Sequence, residues 1–241
     1  MTVLAIETAT AVCAVAVVAD GKTRSEFELD APRVHSEKLV ALIDRALAAA
    51  SVKSGAIDGI AVSIGPGSFT GLRIGLSVAK GLAYAWTKPL AAVPTLEALA
   101  WEAARSGVVH RQGLILPMID ARRDEVYVAG YRYDDGRLEE NIAPQSMTME
   151  ELMPIIRDNE YIVMTGDGAG KLKEFAQGKY PEYASRISLP VGERFQCRAS
   201  AVGLIGERQL LNGNATNLET LEPMYVKDFH TLLKTQHSTV Q

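Results

Sequence analysis

Apolar positions follow two rhythms along this chain. Thr2 to Glu7 and Val12 to Ala19 are short apolar runs that predict strands, and Asp20-Gly21 is a hairpin signal leading into a third strand at Lys22 to Leu29. From Ser36 the spacing changes. Leu39, Leu42, Ile43, Ala46, Leu47 and Ala50 recur at helical intervals, and Gly55 lies beyond the end of that helix. Residues 57–64 predict a buried strand, Gly65-Pro66-Gly67 a tight turn, and the residues up to Trp86 a helix that is apolar nearly all round. On that helix Gly71, Gly75, Ala79 and Ala83 fall four apart and form one stripe of small side chains. Lys88-Pro89 ends it, Leu90 to Val93 predicts a short strand, and Thr95 caps a helix running to about Arg105.

After Gly107 the pattern restarts. Leu114 to Ile119 is apolar, Glu125 to Tyr133 alternates, and Asp135-Gly136 turns into a further strand. Thr148 with Glu151 is a capping box opening a helix to about Arg157. A strand at Tyr161 to Thr165, the loop Gly166-Asp167-Gly168, and helices near 169–178 and 198–211 complete this second lobe. Both halves have an acidic residue ending a first strand, Glu7 or Asp120, and a Gly turn about fifteen residues later. The pattern predicts a duplicated β-β-β-α-β-α unit: an α/β chain of two lobes, residues 1–106 and 107–241, with mixed sheets covered by helices. From Asn212 the tail is polar, with Glu222-Pro223-Met224-Tyr225 docking back and the last ten residues reading as disordered.

Composition narrows the classes. The chain has 241 residues with net charge −4, and no Lys/Arg run exceeds Arg122-Arg123. A free-standing RNA-binding module is disfavoured, since such proteins usually carry a basic patch to neutralise phosphates. Cys13 and Cys197 lack metal spacing and read as buried free thiols in a reducing compartment. Glu7 interrupts the N-terminal apolar stretch, which argues against a signal peptide, and nothing approaches the roughly 20 apolar residues of a membrane span. The expected location is the cytoplasm, with no membrane association.

Candidate chemistry is sparse. The glycine loop at 65–67 suggests phosphate binding at a helix N-terminus, but it matches neither the P-loop nor the dinucleotide fingerprint. A tight strand-to-helix turn is the competing reading. His35, His110, His230 and His237 are scattered, with no His-Glu-x-x-His, so no metal site is expected. No Gly-x-Ser-x-Gly elbow occurs. Asp120-Ala121-Arg122-Arg123-Asp124-Glu125 makes a local salt-bridge net as readily as an active site.

Leu4-Ala5-Ile6-Glu7-Thr8-Ala9-Thr10, His35-Ser36-Glu37-Lys38-Leu39, residues 64–86 and Asp120-Ala121-Arg122 through Glu125-Val126-Tyr127 together resemble the TsaB family, formerly YeaZ. The resemblance covers essentially the whole chain. It implies two RNase H-like lobes of the actin-like ATPase, sugar kinase and Hsp70 superfamily. It also implies work on tRNA as the partner of a catalytic paralogue, TsaD. With the ATPase TsaE, the pair moves a threonylcarbamoyl group from threonylcarbamoyl-AMP onto the adenosine beside the anticodon. Where TsaD carries a His-Leu-Glu-Gly-His type motif that holds its metal, this chain has Thr95-Leu96-Glu97-Ala98-Leu99. The superfamily's phosphate loop survives only as Glu7, Thr8 and Thr10. The implied chain is non-catalytic and has no cofactor of its own, leaving room for weak ATP or ADP binding at the partner interface.

The expected interface is the small stripe Gly71, Gly75 and Ala79 with Phe69 and Arg73, plus His35, Lys38, Leu39 and Leu42 of the preceding helix. It would take TsaD, or a second copy when TsaD is absent. The opposing reading packs the stripe inside its own lobe. The competing function is an enzyme acting alone, either a nucleotide-binding ATPase or a metalloprotease-like protein.

Overall fold

The computed structural model describes residues 1–30, 35–107, 113–134, 136–189 and 196–226. The side chain of His35, the histidines at 110, 230 and 237, the turn residue Asp135 and the last ten residues lie outside that description. The first sheet is built from β1 (Thr2–Glu7), β2 (Val12–Ala19), β3 (Lys22–Asp30), β4 (Gly59–Ser63) and β5 (Leu90–Val93), in the order β3-β2-β1-β4-β5. The second contains β6 (Leu114–Asp120), β7 (Glu125–Asp134), β8 (Arg137–Thr148), β9 (Ile162–Thr165) and β10 (Ile187–Ser188), in the order β10-β9-β6-β7-β8. Read from the other edge, the second order repeats the first. In both sheets the first three strands pair antiparallel, and the fourth and fifth add on parallel.

The helices are α1 (His35–Ala49), α2 (Phe69–Trp86), α3 (Thr95–Arg105), α4 (Met149–Asp158), α5 (Ala169–Lys179) and α6 (Ala199–Leu211). The repeating unit is therefore β-β-β-α-β-α-β-α, one strand and one helix longer than the spacing indicates. What the pattern misses is β10, two residues long and preceded by a 3-10 turn at Pro181–Arg186. Two residues carry too little alternation to register as a strand. The capping box forms as expected, with the Thr148 hydroxyl accepting from the Glu151 amide at 3.3 Å and the Glu151 carboxylate taking the Thr148 amide at 2.7 Å. Thr95 does not cap α3. Pro94 is the N-cap, and the Thr95 hydroxyl instead accepts the Gly65 amide at 3.1 Å.

Alternation along β1 sorts the core. Leu4 and Ile6 face α1 and α2, together with Val15, Val17, Ile60 and Val62. Val3 and Ala5 face the opposite side with Ala14, Ala16, Ala61 and Ala91, and there α6 lies across the sheet. Helix 198–211 was expected to complete the second lobe, and this is corrected: α6 covers the first sheet, whereas α3 covers the second. The physical reason is a face of alanines that admits a helix at short range. Gly206 sits so near Ala61 that a side chain there would collide with it. Polar contacts fix the placement. Glu26 of β3 accepts from the Ser200 amide at 2.9 Å and from Arg198 at 2.8 Å at the start of α6, a favourable place for an acid. At the far end buried Glu207 accepts the amides of Asp20 and Gly21, both at 2.9 Å, and so secures the β2–β3 turn.

The segment after α6 also belongs to the first lobe. The Thr216 amide donates to Leu90 at 2.8 Å and the Met224 amide to Ile64 at 2.6 Å, so the expected docking of residues 222–225 is observed. Leu221 is buried beside α2.

Candidate functional site

Three places bring the sequence-derived candidates together: the loop after β1, its counterpart after β6, and the outer surface of α1 and α2. In the first, Glu7 is fully buried at the end of β1. Its carboxylate accepts the Ala9 amide at 2.7 Å, the Thr10 amide at 3.0 Å and the Cys197 thiol at 3.4 Å. Burial pushes its pKa up against these hydrogen bonds, which favour the charge. Burial, then the charge on Glu7, pushes the Cys197 thiol well above its usual range. Cys13 is likewise buried, so both cysteines are free and enclosed. The arrangement occupies the loop from within. The amides that a phosphate would use donate to Glu7, and the Ala9 carbonyl accepts from Ser68 at 2.7 Å while filling the space beside Gly67.

The stripe on α2 is explained by the same loop. The Thr8 hydroxyl donates to the Gly71 carbonyl at 2.8 Å, and a side chain on Gly71 or Gly75 would collide with Thr8. Gly71, Gly75 and Ala79 are buried in their own lobe, as are Leu39 and Leu42 against the sheet. Their assignment to a partner interface is therefore corrected: they let α1 and α2 close onto β1 and the turn after it. Enlarging Gly75 would test folding rather than partnership.

What α1 and α2 leave outside is a different set. Of the expected interface residues, Lys38, Phe69 and Arg73 are exposed. Beside them on α2 lie Thr70, Ser77, Gly81, Tyr84 and Ala85, edged by half-buried Ile74 and Val78. Tyr84 is 83% exposed, and Val40 on α1 is 58% exposed. A side chain added at Gly81 would meet nothing. Sequence reasoning passed over Gly81, Tyr84 and Val40. The available signal was the second small stripe, Thr70, Ser77, Gly81 and Ala85, on the other side of the same helix.

At the second loop, Asp120 accepts from Lys171 at 2.6 Å and from the Arg122 amide at 2.7 Å. Partial burial pushes Asp120 up, but these contacts outweigh it and its pKa falls. Asp167 accepts the Asp120 amide at 2.9 Å, and burial raises its pKa. Arg122 and Arg123 turn the chain at φ 69° and 55° and stay exposed. One ion pair, Lys171–Asp120, and hydrogen bonds from the Arg122 and Asp120 amides close the β6–β7 turn. Thr95 and Leu99, at the places where the resemblance implies metal-holding histidines in TsaD, are both buried, Leu99 among core residues. Among the described residues no group of three His, Cys, Asp or Glu could hold a metal ion, and no helix is long and apolar enough to cross a membrane.

Residues 29–206 match the family model described as TsaD, tRNA N6-adenosine threonylcarbamoyltransferase. The tRNA threonylcarbamoyladenosine biosynthesis protein TsaB of Bacillus subtilis (strain 168) is 31% identical over 164 residues, which are 68% of this chain and 69% of that protein. The chain belongs to the TsaB (YeaZ) family. The Escherichia coli (strain K12) member is 40% identical over 135 residues, and the matched stretch spans 56% of this chain and 57% of that relative. A Pseudomonas aeruginosa structure described as similar to peptidase YeaZ superposes with a TM-score of 0.76 at 27% identity, covering 94% of this chain and 99% of that one. A ROK hexokinase from Thermus thermophilus shares the fold alone, with a TM-score of 0.51 at 13% identity over 88% of this chain and all of that one. The duplicated two-sheet architecture is the fold shared with these structures.

Proposed function

We propose that this chain is a non-catalytic partner subunit in tRNA threonylcarbamoyladenosine biosynthesis, pairing with a TsaD-type transferase and acting with TsaE in the cytoplasm. The outward arc of α2, with Val40 of α1, is the pairing surface, and in the absence of the transferase it takes a second copy. One observation carries this reading: an 18-residue helix whose outer half holds Thr70, Ser77, Gly81, Tyr84 and Ala85, with Arg73 as its exposed charge and half-buried Lys80 tied to the Leu221 carbonyl. Small side chains let another helix backbone approach, and an exposed aromatic beside them is typical of interface anchors. The β1 loop supports a helper role, since its amides are committed to Glu7 and offer a phosphate little. Any ATP or ADP would therefore be held at the joint surface rather than by this loop. With net charge −4, tRNA is contacted through the assembly.

Reconstitution of tRNA threonylcarbamoylation with and without this chain tests the reading, and modification should require it. Gly81→Arg should leave melting unchanged or slightly improved, because arginine is the better helix former and meets open space. The same variant should abolish co-elution with the transferase. Full modification without the chain, or turnover by the chain alone on the same substrates, would sink the proposal.

A further inference from the structure

Arg73 is the exposed charge of α2, Lys80 being half-buried on the Leu221 carbonyl, and it is held before any partner arrives. Its guanidinium lies over the Phe69 ring, 3.8 Å from the centroid, and its Nε donates to the Tyr225 hydroxyl at 3.1 Å. Phe69 and Tyr225 contact each other with ring centroids 5.5 Å apart, and both are partly exposed, at 38% and 39%. Tyr225 is itself fixed by its neighbour: the Met224 amide donates to Ile64, and Lys80 binds the Leu221 carbonyl at 3.0 Å. Stacking takes one face of the guanidinium and Tyr225 takes Nε, leaving Nη1 and Nη2 without a hydrogen-bond partner among the described residues. Two other exposed arginines are matched internally, Arg157 by Asp158 and Arg198 by Glu26. Among the described residues no carboxylate lies within ion-pair reach of Arg73.

We propose that Arg73, held by Phe69 and Tyr225, is a preorganised anchor for a carboxylate on the partner protein, and that this contact selects the transferase over a second copy of this chain. The proposal rests on the pairing surface argued above. A planar fork with its rotamers already fixed suits a carboxylate and loses little freedom on binding. A second copy offers no match on the same arc, because Phe69–Trp86 contains no acidic residue and its charges are Arg73 and Lys80 alone. The acids of a second copy nearest to α2 in sequence, Asp58 and Glu97, lie before β4 and in α3, and exposed Asp44 belongs to α1. A nucleic-acid phosphate would also fit the fork, but a guanidinium set between the Phe69 and Tyr225 rings in a chain of net charge −4 favours protein.

The test compares pairing with a TsaD-type transferase, by titration calorimetry at low and high salt, with self-association by sedimentation equilibrium. Arg73→Gln should weaken the heteromeric pair about tenfold or more and flatten its salt dependence, while leaving self-association and melting as they were. Tyr225→Phe, which removes only the hydroxyl that orients Nε, should shift affinity in the same direction by less. Equal heteromeric affinity and salt slope for Arg73→Gln would overturn the proposal. So would an equal weakening of self-association, or a loss confined to tRNA binding. Failure of the unaltered chain to pair at all would overturn the underlying reading, which separates the two failures.

Discussion

Glu7 shows how one residue can be legible in kind and not in role. A carboxylate at the end of a first strand, followed by Thr8 and Thr10, reads as part of a phosphate loop, yet here it faces inward. Its pKa is raised by burial, so in the folded chain it holds its proton to higher pH than in the unfolded one. The stability it lends is therefore full at pH below the ordinary carboxylate range and is lost as pH rises through its raised value. Glu7→Gln keeps an oxygen for the Ala9 and Thr10 amides and carries no charge. Melting measured from pH 5 to 8 should fall with pH for the native chain and stay flatter for the variant, which should be at least as stable at pH 8. A parallel fall in both proteins would mean another group titrates. Burial decides this behaviour, and Cys197, which closes the pocket, comes from 190 residues away.

At the level of elements, strands and helices were largely readable, because alternation and helical spacing report burial directly. The facing of α2 was not. That helix is apolar nearly all round and carries two small stripes, so its sequence satisfies either orientation. Thr8 settles it, since its hydroxyl reaches the Gly71 carbonyl only if Gly71 and Gly75 turn inward. The C-terminal segment 212–226 is the other element whose place needed the fold. It holds the edge of the first sheet through Thr216 and Met224 and is seated by buried Leu221. Leu221→Ala should cost about 2–3 kcal/mol of local stability. Hydrogen exchange should quicken at the Thr216 and Met224 amides while β1 amides stay protected. Unchanged exchange at those two amides would show that the segment is held without Leu221.

For the whole molecule, the two units are exchanged in their packing: α3 covers the second sheet and α6 the first. Residues 1–106 alone would leave Val3, Ala5, Ala14, Ala16, Ala61 and Ala91 open on one face. That fragment should bind a hydrophobic dye and melt without a cooperative transition, whereas the intact chain should unfold in a single calorimetric step. A cooperatively folded fragment would refute the mutual dependence. The sequence by itself determined most of the local order of strands and helices, the duplication, the capping box at Thr148 and the family resemblance, because these follow from spacing and residue type over short stretches. Only the tertiary structure decided which stripe of α2 faces out, that the β1 loop is occupied by Glu7, that Tyr225 fixes Arg73, and that the last helix serves the first sheet. Each of those joins residues far apart in the chain, where close packing and the pairing of buried polar groups choose among arrangements that local patterning leaves equal.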